Sequence, residues 1–160
     1  MTGKLARSIR QAKPFQSLEE EAYLNLLRAA DVLLRREALL LSRYQMTHAQ
    51  YNVLRILRGA GAAGLPCGEI ASRMITHDPD ITRLLDRLER RGYVQRSRES
   101  SDRRVVIAKI TPAGLDLLSQ LDAPVSALHR RNLAMLSPAE LRQLIELLER
   151  ATEGDAESDS

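Results

Sequence analysis

The apolar pattern of the chain changes at Gly92, and this change constrains the fold more than any other feature. Before Gly92, the apolar residues recur at the spacing that buries one face of a helix: Ile81, Leu84, Leu85 and Leu88. After it, residues 93–98 and 104–110 have the length and composition of two strands, joined by the polar sequence ESSD. The change therefore predicts a helix followed directly by an antiparallel hairpin.

Three helices are predicted ahead of this hairpin. Thr47 and Gln50 form a capping signature that opens the first, which lasts about three turns. A short helical piece at 69–74 is the second. In the third, Asp78 is the predicted N-cap and Pro79 takes the first helical position. Three consecutive helices followed by a two-stranded hairpin are the layout of a winged helix-turn-helix.

Both flanks of this unit are predicted to be helical. Ser17 opens a long, leucine-rich helix that runs to about residue 43. Thr111 opens another, Pro124 is predicted to interrupt or kink it, and Ser137 starts a last helix. A monomer of this size offers little core to such helices along their whole length, so part of their apolar surface is predicted to meet a second subunit.

The two ends of the chain carry opposite charge. Residues 1–16 are basic and are predicted to form a mobile or loosely docked arm, whereas residues 153–160 are acidic and are predicted to be disordered. The formal net charge is only +3. Between Arg83 and Arg104, however, the sequence has eight arginines and only four acidic residues, which makes this segment the best candidate for binding a polyanion. A solvated arginine surface is the plain alternative.

Composition excludes several other classes of protein. The single cysteine, Cys67, rules out an intrachain disulfide framework and fits a reducing cytosol. No apolar span approaches 20 residues, and the N-terminus lacks a signal-peptide core, so a soluble cytoplasmic protein is expected. No phosphate-binding glycine loop, nucleophile elbow or catalytic histidine–carboxylate cluster is evident, so the chain is not expected to be an enzyme. Neither a cofactor nor a metal is predicted, because Cys67, His77 and Asp78 match no tight ligand motif.

Two motifs, DITRLLDRLERRGYV and DRRVVIAKIT, resemble the MarR family of bacterial transcriptional regulators. The first is similar to the family's recognition helix and the start of its wing. The second fits the wing pattern Asp-x-Arg-x-x-x-Leu-x-Leu-Thr at Asp102, Arg104, Ile110 and Thr111, while Ala108 departs from it. The resemblance covers nearly the whole chain except its two tails.

The resemblance implies a fold that is mainly α with a small antiparallel β-hairpin. Within one domain spanning residues 17–152, it places the winged helix-turn-helix at about 47–111. The dimerisation lobe would be built from helices at about 17–43 and 112–152.

The recognition helix supplies the first group of predicted site residues. Asp80, Thr82, Arg83 and Arg87 face outward or flank the buried stripe. By resemblance, Thr82 and Arg83 match positions that contact bases or phosphates, and an arginine there can bond the O6 and N7 of guanine. Alternatively, Arg83 pairs with Asp80 or Asp86 on the helix surface. Asp80 would support the first helical turn, although it could accept a hydrogen bond from the amino group of cytosine.

The wing supplies the second group. By resemblance, Arg104 enters the minor groove and Asp102 holds its guanidinium. The remaining wing arginines are predicted to contact phosphates: Arg96, Arg98 and Arg103. Arg73 and Thr76 are weaker candidates for the same role.

The expected function is that of a homodimeric regulator, a repressor by the commoner family role, that binds a palindromic operator in double-stranded DNA. The family often binds aromatic or phenolic effectors, and Tyr23, His48 and Tyr51 are candidates for such a cleft, although half-buried residues of these types are common. The alternatives are an architectural DNA-binding protein without sequence preference and a protein-interaction module.

Overall fold

The structure is a computed structural model, and it describes residues 3–78, 80–98 and 104–153. Within this part of the chain, helices dominate and the strands form one small sheet. The helices are α1 (Lys4–Ser8), α2 (Leu18–Ser42), α3 (His48–Ala60), α4 (Cys67–Ser72), α5 (Ile81–Arg90), α6 (Pro112–Asn132) and α7 (Pro138–Thr152). The strands are β1 (Leu65–Pro66), β2 (Val94–Ser97) and β3 (Ile107–Ile110).

The three strands form an antiparallel sheet in the order β1–β3–β2. Val94 pairs with Ile110 in the predicted hairpin, and Leu65 pairs with Ala108 on the other side of β3. The fold is therefore mainly helical with a small antiparallel sheet, as the sequence predicts. Strand β1 was not predicted, because two residues that include Pro66 carry no detectable alternation.

Ala108, where the wing motif loses a large side chain, is fully buried. The chain lies very close to it at Gly64, where an added Cβ would meet the Ala108 carbonyl oxygen at 2.4 Å. Gly64 also has a φ of +66°, which glycine adopts without strain. The small residue in β3 and the glycine beside it together allow β1 to pair closely with the wing.

Side-chain caps fix where the main helices begin. Thr47 forms the predicted capping box with Gln50, and Ser137 forms another with Glu140. At α5, the N-cap is Asp80 and not Asp78, so the sequence prediction was wrong by two residues. Asp78 instead accepts a hydrogen bond from the Asp80 backbone N–H at 2.9 Å and closes the turn before the helix. Pro79, predicted at the first helical position, lies outside the described residues.

Helix α6 continues through Pro124, so the predicted interruption does not occur. Proline removes one backbone hydrogen bond, but the apolar residues around it, Leu121, Val125 and Leu128, are all buried. Their packing stabilises the helix on both sides of the proline. The chain divides at this point into two compact units, residues 1–123 and 124–160.

The N-terminal arm contains more structure than the sequence indicates. Helix α1 lies within it, and both Leu5 and Ala6 are buried. Phe15 and Leu18 line a cavity together with Ala6 and Glu21, which connects the arm to the first turn of α2. The arm is therefore docked through apolar contacts that a reading of its basic residues alone does not predict.

Candidate nucleic-acid interface

Helix α5 has one fully apolar face and one fully polar face. The predicted stripe is buried: Ile81, Leu84, Leu85 and Leu88. On the opposite side, Thr82, Arg83 and Arg87 are exposed. Residues three and four apart share a face of a helix, so the burial of one stripe directs the other toward solvent. These three side chains are thus free of the core and available to a ligand.

Asp80 and Arg83 interact twice at the start of α5. The Arg83 backbone N–H donates to Asp80 Oδ1 at 3.1 Å, and the Arg83 Nε lies 3.2 Å from Asp80 Oδ2. The Arg83 side chain is nevertheless 78% exposed. An exposed ion pair contributes only about 0–1 kcal/mol, so exchange of the carboxylate for a DNA partner costs little. The structure thus contains the surface pair that was the alternative interpretation of Arg83, and it gives Asp80 the supporting role in the first turn.

The turn before α5 is held by Asn52, a residue of α3 that the sequence analysis missed. Its side chain is almost completely buried, and its Oδ1 accepts a hydrogen bond from the Ile75 backbone N–H at 2.8 Å. A buried asparagine requires such a partner, since an unpaired amide in the core is costly. Asn52 therefore fixes the connection between α4 and α5, on which the direction of the recognition helix depends.

Arg96 in strand β2, a predicted phosphate contact, is bound by two carboxylates of α5. Its Nη2 lies 2.7 Å from Glu89 and 2.5 Å from Asp86, and its side chain is 21% exposed. These hydrogen bonds lower the pKa of Glu89 and raise that of Arg96. The predicted phosphate contact of Arg96 would require its guanidinium to exchange both acidic partners for DNA.

Other predicted arginines are exposed. Arg98, directly after β2, and Arg104, three residues before β3, are both exposed. Arg73 is also largely exposed but is paired with Glu69 in α4, while Thr76 is half-buried. Asp102 and Arg103, the other predicted wing residues, lie outside the described residues.

Arg91 links the end of α5 to the end of α2, a role that the sequence analysis did not assign. Its guanidinium donates to the carbonyl oxygens of Gln45 at 2.5 Å and Tyr44 at 3.4 Å. The same group lies 5.0 Å from the centre of the Tyr93 ring. The recognition helix is therefore attached at its C-terminal end to the turn that follows α2.

The three predicted cleft residues are not all brought together. His48 pairs through Nδ1 with Glu37 of α2, and its buried Nε2 has no hydrogen-bond partner among the described residues. Tyr51, one turn further along α3, is buried beneath Arg55, and desolvation raises its pKa. Tyr23 is 61% exposed and lies about 21 Å along α2 from Glu37 at the rise of a regular helix. A single cleft with Tyr23 beside the other two is therefore not formed within one chain.

Two features are absent from the described residues. No group of three or more histidine, cysteine, aspartate or glutamate side chains among them could hold a metal ion. None of their helices is both long enough and apolar enough to span a bilayer.

Known proteins are similar to this chain in both sequence and fold. A family model described as the MarR family matches residues 46–106. A crystal structure of a MarR transcription factor from Planctomyces limnophilus is 44% identical, with a TM-score of 0.67 over 85% of this chain and 98% of that one. The chain belongs to the MarR family.

Two more relatives extend the comparison. The HTH-type transcriptional regulator TtmR of Methylorubrum extorquens (strain PA1) is 35% identical over 67% of this chain and 54% of TtmR. The chain thus spans about half the length of that MarR-like relative. A mutant MarR from E. coli, crystallised with operator DNA, is 25% identical, with a TM-score of 0.73 over 93% of this chain and 99% of that one. The relatives of this MarR-family chain are transcriptional regulators with a winged helix-turn-helix.

The residues missed by sequence reasoning in this MarR-family chain share one property. Asn52, Glu89 and Arg91 hold the recognition helix in place and are not predicted to contact a ligand. Their partners lie 7 to 47 residues away in sequence, so no local pattern identifies them. The one available signal was an asparagine in an otherwise apolar stretch of α3.

Proposed function

We propose that the protein is a homodimeric, sequence-specific regulator that binds a palindromic operator in double-stranded DNA and acts as a repressor. The observation that carries this proposal is the exposed face of α5, where Thr82, Arg83 and Arg87 project from a helix whose other face is buried. A helix of this width enters the major groove, with its N-terminal residues nearest the base edges. Operator binding by the related E. coli MarR supports the same use of the fold here.

Base reading is assigned to the first turn of α5. Arg83 has a guanidinium that can form two hydrogen bonds with guanine, and Thr82 can donate or accept through its hydroxyl. Asp80 caps the helix and holds Arg83 until DNA is bound. Arg87 lies one turn further along the same exposed face, where a phosphate contact fits its position.

The wing is assigned to the minor groove and the neighbouring phosphates. Arg104 would enter the groove, where a narrow tract concentrates negative potential, and Asp102 would orient it. Arg98 and Arg103 would contact phosphates on either side, and Arg73 and Thr76 would add weaker contacts near α5. The exposure of Arg98 and Arg104 supports this assignment.

Dimerisation is supported by the exposed apolar surface of the terminal helices. None of the residues of α7 is buried, although its apolar residues follow a helical stripe, and Ile145 and Leu147 are each more than half exposed. In α2, which has 25 residues, only Leu41 is buried. Helices with so little burial are not stable alone in water, so a second copy of the chain is proposed to bury their apolar surface. Two recognition helices would then read two half-sites about one helical turn apart.

Three further expectations are retained as proposals. The chain forms one domain at 17–152 between a basic arm and an acidic tail, and it acts in the cytoplasm. An aromatic or phenolic effector would bind near His48 and Tyr51, where the buried His48 Nε2 offers an unused hydrogen-bonding atom. Tyr23 would contribute to such a cleft only from another subunit.

The test of the proposal is a selection of DNA by the purified protein. The protein is incubated with a pool of random duplexes, and the bound fraction is recovered and sequenced over several rounds. Enrichment of an inverted repeat with half-sites about one helical turn apart is the expected result. Retention of DNA without any enriched sequence would favour an architectural protein, and no retention at low salt would overturn DNA binding altogether.

A further inference from the structure

Arg96, Glu89 and Asp86 form a cluster of three charged groups between strand β2 and helix α5. Glu89 accepts three hydrogen bonds from Arg96: its Oε1 from the backbone N–H at 3.0 Å, and its Oε2 from Nε at 3.1 Å and Nη2 at 2.7 Å. Asp86, one turn earlier in α5, accepts from the same Nη2. The carboxylates are partly exposed, whereas the arginine side chain is only 21% exposed.

This geometry attaches the first strand of the wing to the recognition helix. A single carboxylate of α5 binds both the backbone and the side chain of one β2 residue, which fixes the position of the strand as well as its direction. Between them the chain turns at Gly92, whose φ is +76°. A glycine turn alone leaves the angle between helix and strand poorly restricted. The Arg96 cluster supplies the missing restriction.

We infer that Arg96 is a positioning residue for DNA binding. Together with Glu89 and Asp86, it holds the wing at a fixed angle to α5, so that the wing and the recognition helix reach their two grooves at the same time. This inference rests on the proposed function, because it requires both elements to contact one duplex. It replaces the sequence-based expectation that Arg96 itself contacts a phosphate.

The inference predicts an effect opposite in sign to simple electrostatics. DNA is a polyanion, so removal of a negative charge near the interface should strengthen binding if the charge acts only through its field. If Glu89 holds the wing in position, its neutralisation should weaken binding instead. Glu89→Gln is a mild change, because the amide oxygen of glutamine can still accept the Arg96 backbone N–H.

The first measurement is the affinity of wild type and E89Q for the duplex recovered by selection. A loss of about fivefold or more in affinity is expected for E89Q. Unchanged or tighter binding by E89Q would overturn the inference. Circular dichroism and thermal unfolding of each variant establish that the comparison is made between folded proteins.

The second measurement separates positioning from phosphate contact. Affinities of R96M and R98M are measured over a range of salt concentrations, with Arg98 as the matched exposed arginine two residues along the chain. Loss of one phosphate contact lowers the salt slope by about 0.9, so a dimer that loses one contact in each subunit shows a fall of about 1.8. That change is expected for R98M, whereas R96M should bind more weakly with its slope unchanged. An equal fall in the salt slope for R96M would show that Arg96 contacts a phosphate, and would overturn the inference.

The third measurement tests whether the wing is the part that is displaced. Substitution of Arg104 by alanine should weaken binding less in an E89Q background than in wild type, because a misplaced wing has less contact to lose. Substitution of Arg83 should cost the same in both backgrounds, since it lies at the other end of α5. General destabilisation of the protein would not distinguish Arg104 from Arg83. If each substitution weakened binding equally in both backgrounds, the inference would be contradicted.

The outcome for wild type separates this inference from the proposed function. Wild-type protein that retains no duplex at low salt would overturn both together. Wild-type protein that binds the selected duplex, combined with E89Q that binds equally well or better, would overturn the positioning role alone.

Discussion

The Arg83 guanidinium lies 3.2 Å from the carboxylate of Asp80, the residue that also caps the helix on which Arg83 stands. One acidic side chain therefore performs two tasks, since it stabilises the first turn of α5 and holds the candidate base-reading arginine in the absence of DNA. A carboxylate at this place also repels phosphate. The two consequences for stability and for DNA affinity can be separated by substitution.

Asp80→Ser should bind DNA more tightly than wild type and remain about as stable. Serine is an equally good N-cap, but it carries no charge to repel phosphate or to retain Arg83. Asp80→Ala, the matched control, should lose about 1 kcal/mol of stability because it removes the cap. Chemical unfolding and DNA titrations of both variants test this, and weaker binding by the serine variant would show that Asp80 itself contacts a base.

Arg83→Ala should weaken binding to the selected operator by about 1–3 kcal/mol and relax the preference at one base pair of each half-site. Arg87→Ala, on the same exposed face, should instead weaken binding to all duplexes alike and lower the salt slope. Titration of a set of operators, each with one base pair replaced, measures both effects. A uniform loss across all these operators for the Arg83 variant would place it on a phosphate.

Asn52→Ala should destabilise the protein by about 1–3 kcal/mol, because the Ile75 backbone N–H would lose its partner in a buried site. Asn25→Ala is the matched control, since Asn25 is exposed in α2 and donates to the carbonyl of Glu21. Asn25→Ala should change the free energy of unfolding by no more than about 0.5 kcal/mol. Urea unfolding measures both, and equal stability of the two variants would mean that Asn52 does not hold the turn before α5.

Ile145→Glu should convert the protein to a monomer and abolish binding to a two-half-site operator. The residue is 55% exposed in a helix with no buried residue, so a charge there would be placed in the proposed interface. Gln143→Glu adds the same charge on the same helix, at an exposed polar position, and should leave the dimer intact. Sedimentation velocity distinguishes the species, and a wild type that sediments as a monomer would contradict dimerisation.

Asp122→Asn should reduce stability at neutral pH but not in acid. Arg58 donates two hydrogen bonds to Asp122, at 2.9 and 3.0 Å, and holds its pKa below the ordinary value of 3.8. A carboxylate with a lowered pKa stabilises the fold above 3.8, and this contribution is lost as the pH falls through the folded-state pKa. The pair is partly exposed, so a difference of about 0.5 kcal/mol is expected at neutral pH. Unfolding measured across this range should show the two proteins converging in acid, and a constant difference would contradict the assigned cause.

The sequence predicts the elements that depend on local pattern. The buried stripe of α5, the capping box at Thr47 and the hairpin after Gly92 all follow from spacing within a few residues, and the structure confirms them. The N-cap of α5 was misplaced because Asp78 and Asp80 both suit that position. Only the backbone geometry at Asp80 distinguishes the cap from the residue that closes the preceding turn.

The sequence does not predict contacts between distant residues. Arg96 and Arg98 look alike in a basic strand, yet one is bound by two carboxylates of α5 and the other is exposed. Residues two apart share a face of a regular strand, so the distinction depends on where β2 ends: Arg96 lies within the strand, whereas Arg98 lies beyond its last residue, Ser97. The hydrogen bonds from Arg91 to the residues after α2 were not predicted either, because they also join residues that are far apart in sequence. Composition identified the basic region, but the structure was needed to divide it into arginines that hold the site and arginines that can bind DNA.

The most direct test of sequence-specific DNA binding is the ratio of two dissociation constants at physiological salt. One is measured for the duplex recovered by selection, and the other for a scrambled duplex of the same length and base composition. A specific reader is expected to prefer the selected duplex by a factor of about one thousand or more. A ratio near one, with both duplexes bound, would contradict base reading by α5 and leave only attraction to the phosphate backbone.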